Sequence, residues 1–134
     1  MSHQPVPITP MRIFLVENDA DTLRVLKRLL ERMGHQVTTS INMEDGLSGI
    51  PTSNCDVLLS DIGLPDGSGW ELMQRVEKSR PFYAIAMSGY GSPADLRASA
   101  EAGFRDHLVK PFTREQLLAV LQKANAETHV SAPH

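Results

Sequence analysis

The feature that most constrains the fold is an alternation of short apolar runs with longer amphipathic stretches along the chain. The apolar runs have the length of strands, and the stretches between them carry apolar residues at helical spacing. This alternation predicts a parallel sheet wound with helices on both faces. The predicted strands are residues 13–16, 37–39, 57–60, 83–87 and 107–109.

The helices are predicted from apolar stripes and from residues that favour helix ends. They lie at about residues 22–33, 43–49, 70–79, 93–102 and from 113 onward. Gly34 and Gly103 are placed to end the first and fourth helices, because glycine adopts the left-handed conformation that follows many helices. Ser92 and Thr113 are typical of helix starts, since their hydroxyls accept hydrogen bonds from free backbone N–H groups.

These elements predict an α/β fold with a five-stranded parallel sheet flanked by five helices. The flavodoxin-like order 2-1-3-4-5 is the arrangement we expect for such a sheet. The chain has 134 residues, which fits one globular domain. We place that domain at residues 12–126, with an N-terminal tail at 1–11 and a C-terminal tail at 127–134.

Composition and charge exclude several classes of function. A net charge of −3 and a pI near 5.9 give no general electrostatic reason to bind nucleic acid or an anionic membrane. No apolar run approaches the roughly 18 residues that span a bilayer, and the N-terminus lacks a secretory signal. Cys55 is the only cysteine, so the sequence predicts neither an internal disulfide nor a cysteine zinc site. We expect a cytoplasmic protein.

Polar residues directly follow the predicted strands. Glu17 and Asn18 come after the first strand, Asp61 after the third, Ser88 after the fourth and Lys110 after the fifth. Ligands of open parallel sheets bind beyond the carboxyl ends of the strands. In the order 2-1-3-4-5 the first and third strands are neighbours, so their acidic ends converge. Clustered oxygen ligands suit a hard cation such as Mg²⁺.

Four segments together resemble the receiver domain of two-component response regulators. They are Val-Glu-Asn at 16–18, Leu-Leu-Ser-Asp-Ile-Gly-Leu-Pro-Asp-Gly at 58–67, Met-Ser-Gly at 87–89 and Val-Lys-Pro-Phe at 109–112. The resemblance runs from Arg12 to about Ala126. It implies a CheY-like fold and a signalling domain that catalyses only its own phosphotransfer and dephosphorylation.

The resemblance assigns a Mg²⁺-dependent phosphoacceptor site to the carboxyl end of the sheet. Asp61 is implied as the phosphoacceptor and as a metal ligand. Glu17 and Asn18 take the positions of the metal-binding acidic pair, and Gly63 offers its backbone carbonyl to the metal. Receivers most often have an aspartate where this chain has Asn18, so we expect weaker metal binding here.

The resemblance also implies a switch. Ser88 is the implied switch hydroxyl and Lys110 the phosphate-binding lysine, with a cis peptide bond before Pro111. His107 stands where similar proteins usually carry a tyrosine or phenylalanine that turns inward on activation. A histidine can do the same in either protonation state, or it can be an ordinary side chain at the strand edge.

Three other functions fit the sequence less well. A degenerate receiver that is never phosphorylated and acts only as a protein-interaction module is supported by Asn18 alone. A haloacid-dehalogenase type phosphatase needs a second acid two residues after its nucleophile, and Gly63 stands there. A flavodoxin-like nucleotide or flavin site is disfavoured because Glu17 and Asp19 would repel phosphate.

The resemblance implies a histidine kinase or a histidine phosphotransfer domain as the phosphodonor partner. In such receivers the first helix and the loop after the fifth strand contact the phosphodonor, and the predicted first helix carries a basic face. Its basic residues are Arg24, Lys27, Arg28 and Arg32. A weak homodimer stays open as a further partner. The pathway and output stay open too, as does the choice between a stand-alone regulator and part of a larger one.

Overall fold

The structure is a computed structural model that describes residues 9–78 and 80–130. The helices are α1 (Ala20–Arg32), α2 (Met43–Ser53), α3 (Gly69–Arg75), α4 (Pro93–Ala102) and α5 (Arg114–Val130). The strands are β1 (Arg12–Val16), β2 (Gln36–Ser40), β3 (Val57–Asp61), β4 (Gly63–Leu64), β5 (Gly67–Ser68), β6 (Tyr83–Ser88) and β7 (Asp106–Val109).

The predicted fold class is confirmed. Five parallel strands form a sheet of order β2-β1-β3-β6-β7, which is 2-1-3-4-5 when only the strands of this sheet are counted. The remaining two strands, β4 and β5, form a small antiparallel hairpin directly after β3. The sequence did not predict this hairpin, because strands of two residues carry no periodic pattern.

Alternate residues of the central strands pack into two apolar layers. Leu15 and Leu59 face the layer that contains α1 and α5, where Leu30 and Leu117 are fully buried. Neighbouring residues such as Leu58 face the other layer, formed with α2 and α3. Every residue of β3 and β6 is buried, as expected for strands covered by helices on both faces. Both strands are therefore buried as far as their last residues, Asp61 and Ser88.

The helix ends follow the predicted chemistry in α1 and α4. Asp19 caps α1 by accepting a hydrogen bond from the backbone N–H of Thr22 at 2.9 Å. Gly34 and Gly103 follow these helices with φ of +99° and +110°, a region that other residues rarely adopt. The Ser92 hydroxyl accepts from the backbone N–H of Asp95 at the start of α4. Local sequence therefore determines where these two helices begin and end.

Two other helix ends differ from the prediction. Helix α3 ends at Arg75, short of the predicted 79. Helix α5 continues to Val130, beyond the predicted boundary at 126, because Ala124 is buried in the core and Glu127 pairs with Arg105 at 2.5 Å. Residues 1–8 of the predicted N-terminal tail and 131–134 of the C-terminal tail lie outside the described residues. None of the helices in the described ranges is both long and apolar enough to cross a membrane.

Candidate functional site

The carboxyl ends of four neighbouring strands bring the predicted site residues to one edge of the sheet. Glu17 directly follows β1, Asp61 ends β3, Ser88 ends β6 and Lys110 directly follows β7. A backbone hydrogen bond from Lys110 N to Ser88 O, at 2.7 Å, ties the last two strand ends together. The peptide bond between Lys110 and Pro111 is cis, as predicted. The parallel topology therefore assembles residues that are far apart in sequence.

Lys110 bridges the two acids of the site. Its Nζ lies 2.6 Å from Glu17 Oε1 and 2.6 Å from Asp61 Oδ1. The Glu17 side chain is fully buried and that of Asp61 is 5% exposed, whereas the lysine side chain is 29% exposed. One positive charge thus faces two carboxyl groups that have almost no contact with water. When both carboxyl groups are ionised, their negative charge exceeds the single positive charge of Lys110, and a divalent cation would balance it.

The two acids titrate very differently. Burial and the neighbouring Glu17 raise the pKa of Asp61 to about 7, against the lowering effect of Lys110. Burial also raises the pKa of Glu17, but hydrogen bonds from Asp61 and Lys110 and from the Asp19 backbone outweigh it and hold that pKa low. The pKa of Lys110 is raised because burial, which lowers it, is outweighed by the two acids. Below about pH 7 the pair therefore holds a proton that a cation could displace.

Backbone groups after β1 hold the carboxylates in place. Asn18 N donates to Asp61 Oδ2 at 3.3 Å, and Asp19 N donates to Glu17 Oε2 at 3.0 Å. The Asn18 residue itself is exposed at the mouth of the pocket. The contact with Asp61 is made by the backbone of Asn18, so it would form equally with an aspartate at this position.

The donor set fits a hard cation only when neutral oxygens are included. Across residues 9–78 and 80–130, no group of three His, Cys, Asp or Glu residues is arranged to hold a metal ion. Glu17 and Asp61 supply two carboxylates, so Asn18 and the carbonyl of Gly63 would have to complete an oxygen site. Mg²⁺ accepts such a set because it retains several water ligands.

The β4–β5 hairpin, which begins at Gly63, is anchored by Asp66, a residue whose role the sequence did not predict. Asp66 accepts hydrogen bonds from the backbone N–H groups of Met43 and Glu44, at 2.7 and 2.9 Å. Its carboxylate therefore joins the β4–β5 hairpin to the first turn of α2, where negative charge is stabilised by the helix dipole. In the sequence, the Asp-Gly pair at 66–67 indicates only a turn. The contact joins segments more than 20 residues apart, so no local signal reveals it.

The close packing behind Asp61 leaves room only for a glycine at position 69. A Cβ atom on Gly69 would lie 2.4 Å from the carbonyl oxygen of Asp61. The Gly69 N–H donates to the carbonyl of Ile62 at 2.8 Å, so the start of α3 packs directly against the end of β3. Any larger residue at position 69 would push Asp61 out of place.

Ser88 lies in a chain of hydrogen bonds and not in contact with the acids. Its Oγ is 2.5 Å from the carbonyl oxygen of Tyr90 and 2.7 Å from His107 Nε2. His107 Nδ1 is 2.9 Å from the hydroxyl of Ser99, which also accepts from Trp70 Nε1 at 3.0 Å. His107 is half-buried, so it already faces inward. Sequence reasoning found Ser88 and His107 but missed Ser99, which carries no motif.

The fold and this pocket define a flavodoxin-like α/β domain with an acidic, lysine-bridged site at the carboxyl edge of its sheet. The sequence matches the response regulator receiver domain family over residues 13–122. The chain belongs to this family, which confirms the resemblance inferred from its motifs.

Relatives cover most of the chain. An uncharacterised 14.6 kDa protein of Leptolyngbya boryana is 33% identical over 119 residues, which are 87% of this chain and 91% of that protein. Other relatives are larger regulators, and the chain spans 25% of the length of the NtrC transcriptional regulators that it matches.

Solved structures agree with the fold. A CheY-like receiver domain protein from Methanospirillum hungatei JF-1 has 30% identity and a TM-score of 0.84, covering 92% of this chain and 100% of that one. The receiver domain of the sensor histidine kinase PA1611 from Pseudomonas aeruginosa PAO1 has 26% identity and a TM-score of 0.78, covering 88% and 99%. That structure has a magnesium ion coordinated in its active-site cleft.

Proposed function

We propose that this receiver domain accepts a phosphoryl group on Asp61 in a Mg²⁺-dependent reaction and changes conformation in response. The observation that carries the proposal is the contact of the Asp61 carboxylate with Lys110 Nζ, at 2.6 Å, beside the buried Glu17. The donor class is a histidine kinase or a histidine phosphotransfer domain, as for other receivers of two-component signalling.

Transfer requires a carboxylate to approach a group that is also negative. An oxygen of Asp61 forms a bond to phosphorus while the P–N bond to the donor histidine breaks, and its electron pair stays on the imidazole nitrogen. Lys110 offsets the repulsion by donating hydrogen bonds to the phosphoryl oxygens. Mg²⁺, when bound by Glu17, Asn18, Asp61 and the Gly63 carbonyl, would supply the remaining positive charge. The magnesium ion in the PA1611 receiver supports this part of the proposal.

The product changes the charge of the pocket and creates new hydrogen-bond acceptors. A phosphoryl group on Asp61 adds negative charge and oxygens that accept hydrogen bonds strongly. Lys110 is already within reach of Asp61, and the Ser88 hydroxyl lies at the end of the adjacent strand. Donation from both groups would draw the loops after β6 and β7 toward Asp61.

A groove beside the pocket suits the phosphodonor. It has a volume of about 510 Å³ and lies between α1 and the loop after β7, with Lys110 at its edge. Its lining is mainly apolar, and Val25 is 66% exposed there. The basic residues Arg24 and Arg28 lie on the exposed surface of the same helix. Asp21, which pairs with Arg24, also lines the groove, so the apolar lining has charges of both signs beside it. Such a groove suits a helical donor with an apolar face and a polar border.

A measurement of intact mass tests the proposal. Incubation with acetyl phosphate and Mg²⁺ should add the mass of one phosphoryl group to the protein. Asp61→Asn, or chelation of the metal, should abolish the addition. Asp45→Asn is the matched control, because Asp45 is an exposed aspartate on α2. Unchanged labelling of Asp61→Asn would refute the assignment. A complete lack of labelling in the wild-type protein, with and without a cognate donor, would favour the degenerate receiver.

A further inference from the structure

A continuous path of hydrogen bonds joins Trp70 on α3 to the loop after β6. It passes from Trp70 Nε1 to the hydroxyl of Ser99, then through both ring nitrogens of His107 to the hydroxyl of Ser88, and ends at the carbonyl of Tyr90. The four distances are 3.0, 2.9, 2.7 and 2.5 Å in that order. Ser99 is 2% exposed and Ser88 is 8% exposed, so water competes little for these groups.

The two ends of the path fix its direction. An indole N–H only donates and a backbone carbonyl only accepts. The Ser99 hydroxyl, which accepts from Trp70, has its own hydrogen left for His107 Nδ1. The Ser88 hydroxyl donates its hydrogen to the Tyr90 carbonyl and therefore accepts from His107 Nε2. The contacts are all satisfied when His107 is neutral and carries its hydrogen on Nε2.

We propose that Trp70 and Ser99 are positioning residues that hold His107 in the Nε2–H form, and that His107 thereby holds the Ser88 hydroxyl on Tyr90, away from Asp61. The part that concerns Asp61 rests on the proposed function. The consequence is specific to a polar ring at position 107. When Ser88 turns to a phosphoryl group, His107 Nε2–H loses its acceptor in a half-buried place, which opposes the turn.

A hydrocarbon ring at the same position would not oppose the turn in this way. His107→Phe keeps a planar ring of similar size but has neither nitrogen. The path also joins α3 and α4. A change in the hydrogen bonds of Ser88 should therefore alter the hydrogen bond of the Trp70 indole N–H. Trp70 is the only tryptophan of the chain, which makes its indole N–H a single reporter of the path.

The first test uses the unphosphorylated protein and does not depend on the proposed function. Nitrogen-15 NMR at a pH that keeps histidine neutral should show His107 with its hydrogen on Nε2 and none on Nδ1. His107→Phe identifies the signal by its loss. Ser99→Ala and Trp70→Phe should each move the Nδ1 resonance or mix the two tautomers. Ser48→Ala, an exposed serine on α2, is the control and should leave it unchanged. A hydrogen on Nδ1, or no response to Ser99→Ala, overturns the proposal.

The second test measures the coupling to Asp61 with beryllofluoride, an analogue of a bound phosphoryl group. Titration with Mg²⁺ and beryllofluoride should shift the Trp70 indole N–H resonance in the wild-type protein. His107→Phe should bind beryllofluoride about fivefold more tightly, the size expected for one neutral hydrogen bond that no longer has to be broken. Equal or weaker binding by His107→Phe, or an indole resonance that does not move on binding, overturns the coupling. Absence of beryllofluoride binding would refute the proposed function and this coupling, while the tautomer result stands separately.

Discussion

The ammonium group of Lys110 lies 2.6 Å from a carboxylate oxygen of Glu17 and 2.6 Å from one of Asp61. A single lysine thus bridges two acids that come from different strand ends and are almost inaccessible to water. Because each acid responds to the other and to the lysine, a change at any one of the three alters the remaining two.

Lys110→Ala is expected to weaken the response to phosphorylation more than it weakens the fold. The side chain lies at the rim of the pocket, 29% exposed, and its loss would remove the group that we propose donates to the phosphoryl oxygens. Thermal melting and amide hydrogen exchange, each with and without acetyl phosphate, measure the two effects. A variant that unfolds at room temperature, or that keeps the wild-type exchange response, would contradict this expectation.

Asn18→Asp is expected to tighten Mg²⁺ binding by roughly tenfold, about 1.4 kcal/mol. A third carboxylate adds attraction for a divalent ion, partly offset by dehydration and by repulsion from Glu17 and Asp61. The same repulsion should destabilise the metal-free variant slightly. Titration followed by Trp70 fluorescence measures affinity, and melting with and without Mg²⁺ measures stability. Unchanged or weaker affinity would mean that Asn18 does not face the metal.

Asp61→Asn should stabilise the metal-free protein increasingly as the pH rises from about 4 to about 7. The pKa of Asp61 is raised from 3.8 to about 7, so the folded state binds this proton more tightly than the unfolded chain does. The proton on Asp61 stabilises the folded state fully when the pH is below 3.8, the pKa of this group in the unfolded chain. This stabilisation is lost as the pH rises through the pKa of about 7 in the folded protein. Between pH 4 and pH 8 the gap between variant and wild type should widen by up to about 4 kcal/mol, the free energy that corresponds to raising the pKa from 3.8 to about 7. Chemical denaturation in the presence of chelator gives the difference, and a gap that is independent of pH would argue against the raised pKa.

A buried histidine away from the pocket should make the fold sensitive to mild acid. His35 is 4% exposed, its Nδ1 accepts from Met11 N at 3.0 Å, and its Nε2 has no partner among residues 9–78 and 80–130. Burial lowers the pKa of His35 from 6.5. Neutral His35 therefore keeps its full contribution to the free energy of unfolding above about pH 6.5. This contribution is lost as the pH falls through the lowered pKa of His35 in the folded protein.

The matched variant for this prediction is His35→Asn, whose amide oxygen can take the place of Nδ1 and keep the hydrogen bond from Met11. Denaturation at a series of pH values should show a smaller loss of stability on acidification in this variant than in wild type. The difference isolates His35, because the other histidines are present in both proteins. Parallel curves for the two proteins would count against the prediction.

The strands, and the residues that follow them, could be predicted because both depend on short stretches of sequence. Fully buried strands such as β3 must be continuous apolar runs, and the residue that follows such a run lies at the edge of the sheet. Asp61 and Lys110 were found in this way. Helix ends were predictable where a cap is local, as at Ser92 and Gly103, and were missed where packing decides, as at the end of α5.

By itself, the sequence determined the α/β class and the residues that follow the strands, since hydrophobic period and strand-end position depend on neighbours along the chain. The strand order 2-1-3-4-5 was expected from the flavodoxin-like arrangement and is confirmed by the structure. The tertiary structure alone decided which side chains meet. Lys110 and Glu17 are 93 positions apart, and Asp66 reaches a helix start 23 positions away. The partnership of Ser99 with Trp70 and His107 likewise depends on how α3, α4 and β7 pack. Such contacts depend on side-chain rotamers and on distances that are set only when the helices pack against the sheet. They therefore produce no periodic pattern in the sequence.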